Sequence, residues 1–432
     1  MEVSTIQARI AQQAKENPGR VWTALAHHLD AEWVTEAYAR TRKDGAPGID
    51  GKTMMEYCVT LPERRHELIN EVKSGGYFAP PVKRVHIRKP GKDETRPIGI
   101  PTCEDRVLQR AALMLLEPIF EQDFLDCSYG FRQGRSAHQA LDTIWKAIME
   151  MGGGWVLDVD VRKYFDSLNH AHLREFLDLR VRDGVIRRLI DKWLKAGVME
   201  DGLFSRTTQG TPQGGVISPL LSNLYLHHVL DLWFQDEVIP RLAGKAKLIR
   251  DADDFVIIFQ REDDARRVME VLPKRFARFD LQIHPDKTKL VPFLPPPRSA
   301  GEQDKPQTFD FLGFTHHWGK SSKGSWAVQR RTMCSRFARA LASIDEWCRD
   351  SRHLPIHQQH QTLSRKLTGH YAYYGIIGNY RRLAEFGYQV RHRWKHWLDR
   401  RDRTQGFGWA RMNAFLAAYP LPPPRMIAAA KP

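Results

Sequence analysis

Residues 247–260 read KLIRDADDFVIIFQ, in which two apolar runs flank the acidic stretch DADD. β-branched and aromatic residues bounded by turn formers are typical of strands, so this segment predicts a strand, a tight turn and a second strand. Asp253 and Asp254 fall at the turn. A third apolar run, WVLDVDV at residues 155–161, reaches Asp160, with Asp158 two residues earlier on the same face of the strand.

These acidic residues predict a cation site if the strands are neighbours. Carboxylates at the ends of adjacent buried strands repel each other, and burying them without a counter-charge is costly. Hard oxygen ligands suit Mg²⁺, and two such ions can activate an attacking hydroxyl and hold a leaving oxygen. Taken alone, an Asp-Asp pair is usually a solvated turn, and an Asp that ends a strand is commonly a cap. The order of the segments along the chain is therefore what matters.

The remaining sequence predicts an order of elements around these strands. Residues 80–101 alternate basic and apolar side chains on either side of Pro90-Gly91, which indicates a β-hairpin with a basic tip. Helical periodicity covers residues 4–41, 104–121, 171–197 and 262–279. The Pro-rich segment LPPPRSAGEQDKPQ, residues 294–307, predicts the main domain boundary. A short strand over residues 309–314 is expected after it, and then mostly basic helices.

Charge is distributed unevenly along the 432 residues. The chain has 66 Lys or Arg and 51 Asp or Glu, a formal net charge of +15. Residues 321–432 hold 20 of the basic and six of the acidic residues, so nearly all of the excess lies in the last quarter. This predicts a polyanionic partner for that region. Five scattered cysteines and the lack of a long apolar run argue against a disulfide framework, a signal peptide and a membrane span, so a cytoplasmic location is expected.

Several motifs in fixed order resemble group II intron-encoded reverse transcriptase/maturases of the endonuclease-lacking type. They are DGAPGIDG (44–51), the run from 88 to 113 that contains RKPGKDETRPIGIP, SYGFRQGRSAHQAL (128–141), Asp160-x-x-x-x-Phe165, QGTPQGGVISPLLSNLYL (209–226), the Ala-Asp-Asp turn and LSRKLTGHYAYYGIIGNYRRL (363–383). The resemblance implies an α+β right-hand polymerase fold. Fingers and palm would span residues 1–300, an α-helical thumb/maturase domain 301–400 and a short tail 401–432, with no endonuclease domain.

The resemblance also implies roles for individual residues. Asp160, Asp253 and Asp254, with the carbonyl of Val161, would hold two Mg²⁺ ions, or Mn²⁺ in their place. The family's contacts to the incoming deoxynucleotide fall on five positions: Lys89, Arg96, Phe165, Gln213 and Gly214. The competing interpretations are a solvated basic turn for Lys89 and Arg96, and a packed core residue for Phe165.

One position departs from the family pattern. The turn normally begins with Tyr, and here Asp251 stands in that place. The resemblance places the Tyr against the primer end, so Asp removes an aromatic contact and adds a negative charge. Altered metal binding and weakened primer placement are both compatible with this change.

The basic C-terminal region interleaves cations with aromatic residues, a pattern suited to RNA phosphates and unpaired bases. The RNA-binding candidates are Arg365, Lys366, Tyr371, Tyr374, Arg381, Arg382, Arg391 and Arg393. A helical bundle with the aromatic residues in its core is the alternative. The partners implied are group II intron RNA, an RNA template with a DNA primer, target DNA and dNTPs, with no membrane.

The expected function is RNA-dependent DNA synthesis together with maturase-assisted splicing, in support of intron retrohoming. Two alternatives stay open at this point. One is a splicing-only RNA-binding protein whose polymerase site has degenerated, as Asp251 would suggest. The other is a group II-like reverse transcriptase that a host uses in repair or phage defence.

Overall fold

The computed structural model describes residues 2–88, 95–200, 202–206, 209–211, 214–296, 307–321, 323–401 and 408–426. The chain divides into two compact units. The first comprises Met1–Ile144 and Trp155–Leu290, and the second comprises Trp145–Gly154 and Val291–Pro432. The second unit thus resumes at Val291, directly before the Pro-rich segment at 294–307, and it includes a short internal segment that the sequence pattern does not single out.

Helices make up most of the first unit and follow the predicted periodic stretches. They are α1 (Val3–Glu16), α2 (Ala31–Ala39), α3 (Met54–Ser74), α4 (Cys103–Phe120), the first half of α5 (Ala137–Met151), α6 (Tyr164–Ser167), α7 (His170–Asp178), α8 (Gly184–Lys195), α9 (Ser218–Leu226) and α10 (Glu262–Ala277). The long helix predicted over residues 4–41 is instead two helices separated by a 3₁₀ turn at Ala26–His28. Asp30 caps α2 through a hydrogen bond from the Trp33 amide, so the second helix starts there.

Two sheets belong to the first unit. Their strands are β1 (Val82–Arg88), β2 (Thr95–Ile100), β3 (Gly154–Val159), β4 (Val198–Glu200), β5 (Leu203–Ser205), β6 (Ala246–Asp251) and β7 (Asp254–Phe259), and β8 (Lys289–Phe293) follows at the division between the units. One sheet has the order β2-β1-β4-β5, and in the other β7 lies between β6 and β3. The predicted hairpin and the strand–turn–strand are therefore both confirmed.

The core of the first unit is built on α4, in which most residues are buried. Thr102 caps this helix by accepting a hydrogen bond from the Asp105 amide at 3.2 Å. The strands β3 and β7 add fully buried residues such as Leu157 and Ile257 to the same cluster. Because β7 is apolar on both faces, it is held rigidly, and so is the acidic turn from which it begins.

The second unit contains more strand than its sequence predicts. After β9 (Phe309–Phe311) come β10 (Phe314–Lys320), β11 (Trp326–Thr332), α11 (Cys334–Asp350), α12 (Ile356–Tyr374), α13 (Tyr380–Asp399) and α14 (Trp409–Ala418). The sheet order is β11-β10-β9. Helix α14 places Met412 in the hydrophobic core with Leu363 and Trp394, so the predicted tail is part of this unit. None of the helices in the described ranges has the length and apolar character needed to cross a bilayer.

Several histidines are buried within the two units. His316 is fully buried on β10 and stacks on Phe309 at 4.5 Å, and burial lowers the pKa of this imidazole to about 3. Burial likewise lowers the pKa values of His227, His228 and His370 to about 4. Each is therefore neutral in the folded protein at pH 5, where a solvent-exposed histidine is charged.

Acid is expected to destabilise the fold through these histidines. An unfolded histidine with a pKa near 6.5 binds a proton as pH falls, whereas the folded group stays neutral until its lowered pKa, so stability is lost below about pH 6.5. For His316 the loss between pH 7 and pH 5 is about 2 kcal/mol. His316→Phe should reduce the drop in thermal midpoint over that range, and His66→Phe at an exposed position should not. Equal drops in wild type and His316→Phe would contradict this expectation.

Candidate functional site

The acidic residues converge because of strand register. Asp251 and Asp254 pair across the β6–β7 hairpin, which closes through Ala252 and Asp253. Strand β3 pairs antiparallel with β7, with Val159 opposite Phe255, so one further step places Asp160 opposite Asp254. The two strand ends predicted from separate parts of the sequence therefore meet at one edge of the sheet.

The carboxylates at this edge of the sheet act on one another electrostatically. Although Asp254 retains solvent contact, loss of hydration among the surrounding protein atoms raises the pKa of its carboxyl to about 7. Repulsion from the carboxylates of Asp158, Asp253, Asp160 and Asp251 contributes to the same shift. An additional cation near these oxygens would relieve both effects, which is the condition under which acidic residues bind metal ions.

A side-chain ammonium already neutralises one of these carboxylates. Lys287 donates to Asp160 at 2.8 Å, and the side chains are 56% and 43% exposed, so the pair can open without unfolding the core. Among the described residues, no group of three or more His, Cys, Asp or Glu side chains converges closely enough to hold a metal ion. The expected three-carboxylate cluster is therefore not closed in this conformation. The donor chemistry and the raised pKa values nevertheless fit a divalent cation.

The acidic turn is supported from beneath by a buried arginine. Arg250 is fully buried and forms a bidentate ion pair with Asp231, with N–O distances of 2.9 and 2.6 Å. Its Nη1 also donates to the carbonyl of Ala252 at 3.0 Å and to Oδ1 of Asn223 at 2.9 Å. Ala252 has φ of 59°, a left-handed conformation unfavourable for a residue with a Cβ, so the hydrogen bond to its carbonyl helps to fix the turn.

A glycine from the SYGFRQGRS segment covers the other side of the turn. The Gly130 carbonyl accepts a hydrogen bond from Asn223 at 2.8 Å. A Cβ at Gly130 would lie 2.4 Å from the Ala252 nitrogen and 2.8 Å from Asp251 Oδ1, which leaves room only for glycine. The Tyr129 amide also donates to the Arg250 carbonyl at 2.8 Å. The motif at 128–141 is thus a structural support for the acidic turn.

Asp251, which departs from the family pattern, lies half-buried at the end of β6. Burial raises the pKa of its carboxyl, and the charge of Asp253 acts in the same direction, whereas Arg250 opposes them. Its Oδ1 lies on the side of the turn that Gly130 covers. The Asp251 carboxyl is therefore affected by burial and by a neighbouring carboxylate, as the carboxyl of Asp254 is.

Two of the predicted nucleotide-binding residues, Arg96 and Gly214, lie on or against β2. Arg96 lies on β2 opposite Ile87, and its charge lowers the pKa of Asp253 against the larger raising effect of burial. Gly214 has φ of 116°, and a Cβ there would lie 2.5 Å from the Gly99 carbonyl on β2, so this position requires glycine. Lys89 and Gln213 lie outside the described residues.

Phe165 is partly buried and packs edge-to-face on Tyr164, with ring centroids 5.4 Å apart. Its carbonyl accepts a hydrogen bond from the Thr211 amide at 2.8 Å. This bond ties the segment after Asp160 to residues 209–211. The packing leaves the competing interpretation of Phe165 as a core residue open.

The C-terminal candidates divide by exposure. Arg365, Arg381, Arg391 and Arg393 are exposed, and Lys366, Arg382 and Tyr374 are partly exposed, all on α12 or α13. Tyr371 is only 3% exposed and packs in the helical core, so its ring is not available at the surface for stacking on RNA. The expectation of an RNA contact at this tyrosine is corrected: its place in the helical period puts it on the inward face.

The sequence interpretation did not identify the residues that support the site. Arg250, Asp231 and Asn223 form the buried network, and Lys287 provides the counter-charge for Asp160. A buried Arg beside an apolar strand was the one available signal, since an arginine is almost never buried without an acidic partner. The identity of that partner depends on the tertiary fold.

Comparison with known proteins finds a family match that covers part of the first unit and the start of the second. Residues 87–316 match the family described as "Reverse transcriptase (RNA-dependent DNA polymerase)". Protein YkfC of Escherichia coli K12 is 35% identical over 67% of this chain and 85% of its own length. The group II intron-encoded protein LtrA of Lactococcus lactis is 33% identical over 67% of this chain, but the match covers only 48% of LtrA. Nuclear intron maturase 1 of Arabidopsis thaliana is 35% identical over 22% of this chain.

The buried ion pair predicts a large effect of a nearly isosteric substitution. Asp231→Asn would leave the Arg250 guanidinium buried without a counter-charge, which typically costs about 3–5 kcal/mol. Asp263→Asn, at a side chain that is 80% exposed, should change stability by less than about 0.5 kcal/mol. Urea unfolding of the two variants followed by circular dichroism measures the difference. Similar stabilities would show that the pair does not support the fold.

Proposed function

Since the chain belongs to the reverse transcriptase family, we propose that it copies RNA into DNA at the acidic edge of the β6–β7–β3 sheet. The reaction is in-line attack of a primer 3′-hydroxyl on the α-phosphate of a deoxynucleotide, with pyrophosphate leaving. The observation that carries the proposal is the register that sets Asp160 opposite Asp254, with Asp253 at the adjoining turn. These carboxylates come from distant segments of the chain, and their position at one edge of the sheet supports the proposal.

The acidic residues would hold two Mg²⁺ ions, or Mn²⁺ in their place, through Asp160, Asp253, Asp254 and the Val161 carbonyl. Bound there, the ions would lower the pKa of the primer hydroxyl and neutralise charge on the phosphates. The raised pKa values of Asp253 and Asp254 support this assignment, because a cation stabilises the ionised forms of both groups. Lys287 would leave Asp160 when the site is occupied.

The chain's other residues bind and orient the nucleotide. Lys89 and Arg96 would hold its triphosphate, for which the planar fork of arginine is well suited. Phe165 would exclude a ribose 2′-hydroxyl, and Gln213 and Gly214 would line the nucleotide. The influence of Arg96 on Asp253 supports its part in this arrangement, because it places a positive charge within range of the acidic site.

The exposed cations of α12 and α13 would bind group II intron RNA and assist its splicing, in support of retrohoming. The likeness to LtrA and to Nuclear intron maturase 1 supports this second activity. Four exposed arginines would provide the phosphate contacts that such binding requires: Arg365, Arg381, Arg391 and Arg393. The competing splicing-only function, in which the polymerase site no longer acts, rests only on Asp251 in place of the family's Tyr.

Removing one acidic residue tests the polymerase function. Asp253→Asn should lower primer extension on an RNA template by at least about 100-fold, because metal-assisted charge stabilisation is worth several kcal/mol. Asp263→Asn makes the same Asp-to-Asn change in the exposed first turn of α10 and should retain full primer extension. In parallel, added Mg²⁺ should raise the thermal midpoint of the wild type more than that of Asp253→Asn. If the wild type and the variant both extend the primer only at background level, the polymerase function is contradicted and the splicing-only function stays.

Removing exposed cations tests the RNA-binding function. The double variant Arg365→Ala/Arg381→Ala should bind intron RNA about tenfold more weakly, with the salt dependence reduced by about one unit of slope for each lost phosphate contact. Arg349→Ala/Arg425→Ala removes the same number of exposed charges from the second unit at other places. Filter binding at several KCl concentrations gives both quantities. Equal losses in the two double variants would indicate general attraction without a defined surface.

A further inference from the structure

An open groove of about 630 Å³ lies in the first unit beside the loop that carries Gly210. Its walls come from the start of α7, the end of α8, β5 and the residues that follow β5. The side chains that matter here are His170, Arg174, Lys195, Phe204, Arg206 and Gln209. None of them belongs to the acidic cluster or to the predicted RNA-binding residues of the second unit.

The groove is positively charged. Lys195 and Arg206 are exposed, and Arg174 is paired with Asp191 at 2.5 Å. The charges of Arg174 and Lys195 both act to lower the pKa of His170, after the larger effect of burial. Three cations therefore line one concavity, and none of the described lining residues is acidic. Such a concentration of charge favours a polyanion.

An exposed aromatic ring lies among these cations. Phe204 is 53% exposed on β5, and it lines the groove. Among the described residues β5 pairs only with β4, so its outer edge is open. The neighbouring Leu203 is 75% exposed but points to the opposite face of the strand and does not line the groove. Phe204 therefore offers a flat apolar surface within reach of two exposed positive charges.

The groove adjoins the proposed nucleotide-binding segment. A ring nitrogen of His170 lies 2.7 Å from the Gly210 carbonyl, and the Gly210 amide donates to the Leu168 carbonyl at 2.8 Å. The next amide, that of Thr211, donates to the Phe165 carbonyl at 2.8 Å. The wall of the groove and the segment after Asp160 are thus tied by consecutive hydrogen bonds. A chain bound in the groove would lie close to the proposed site of synthesis.

We propose that this groove binds a single-stranded segment of nucleic acid, with phosphates at Lys195 and Arg206 and a base stacked on Phe204. Stacking on an exposed aromatic ring combined with cationic phosphate contacts is how proteins hold single strands without reading sequence. An added peptide strand at the open edge of β5 would not use the cations, so their charge favours nucleic acid. The proposal rests on the proposed function in one respect, namely that the bound strand is template RNA or a DNA strand.

Titration of the full-length protein with a labelled 20-nucleotide single strand, in RNA and DNA forms, tests the charges and the ring separately. Lys195→Ala/Arg206→Ala should weaken binding at least tenfold and reduce the slope of log affinity against log salt by about 1.4, at about 0.7 for each lost contact. Lys245→Ala removes an exposed cation outside the groove, so it should weaken binding only by the small amount expected from general electrostatic attraction. Phe204→Ala should weaken binding by about 5- to 150-fold with the salt slope unchanged, and Leu203→Ala should have no effect.

A positional readout completes the test. Irradiation of the complex with 5-iodouridine-substituted strands should crosslink the peptide that contains Phe204, and Phe204→Ala should abolish that crosslink. A stronger loss with RNA identifies the template as the occupant, and a stronger loss with DNA identifies a DNA strand. Unchanged affinity, slope and crosslinking in the groove variants would overturn the proposal. Asp253→Asn should bind both strands normally, so failure of DNA synthesis and failure of the groove are distinguishable.

Discussion

The ion pair between Arg250 and Asp231 is the interaction on which the acidic site depends. Both side chains are fully shielded from solvent, so the pair is held by two charge-assisted hydrogen bonds in a low-dielectric interior. The same guanidinium then reaches the Ala252 carbonyl and Asn223, and Asn223 reaches Gly130. The acidic turn is therefore positioned by buried groups that lie beneath it. A site built on this network is rigid before any ligand arrives.

The acidic residues next to this buried network repel one another. Loss of hydration and mutual repulsion raise the pKa values of Asp253 and Asp254, and Lys287 pairs directly with Asp160. The cluster thus destabilises the fold, and additional positive charge nearby would reduce that cost. Residues held in this state are typical of functional sites, because a structural role alone would not require several carboxylates at one strand edge.

Much of the fold follows from local patterns. The hairpin at β1–β2, the strands that flank the Ala-Asp-Asp turn and the helix α4 are predicted by periodicity and turn residues. The strands β10 and β11 are not predicted, because basic and aromatic residues there resemble the helical region that follows. The same basic and aromatic composition predicts Tyr371 at the RNA surface, whereas packing places its ring in the core. Composition gives the charge of a region but not the direction in which each side chain points.

By itself, the sequence determined the acidic residue types, the strands that end in them and the basic character of the last quarter, because these properties are local to a segment. Only the tertiary structure decided which residues meet. Asp231 is 19 positions from Arg250 along the chain, and Lys287 is 127 positions from Asp160, and neither pairing has a local signal. Long-range partners depend on how helices and strands pack, since a buried charge requires an opposite charge but does not specify where in the sequence it lies.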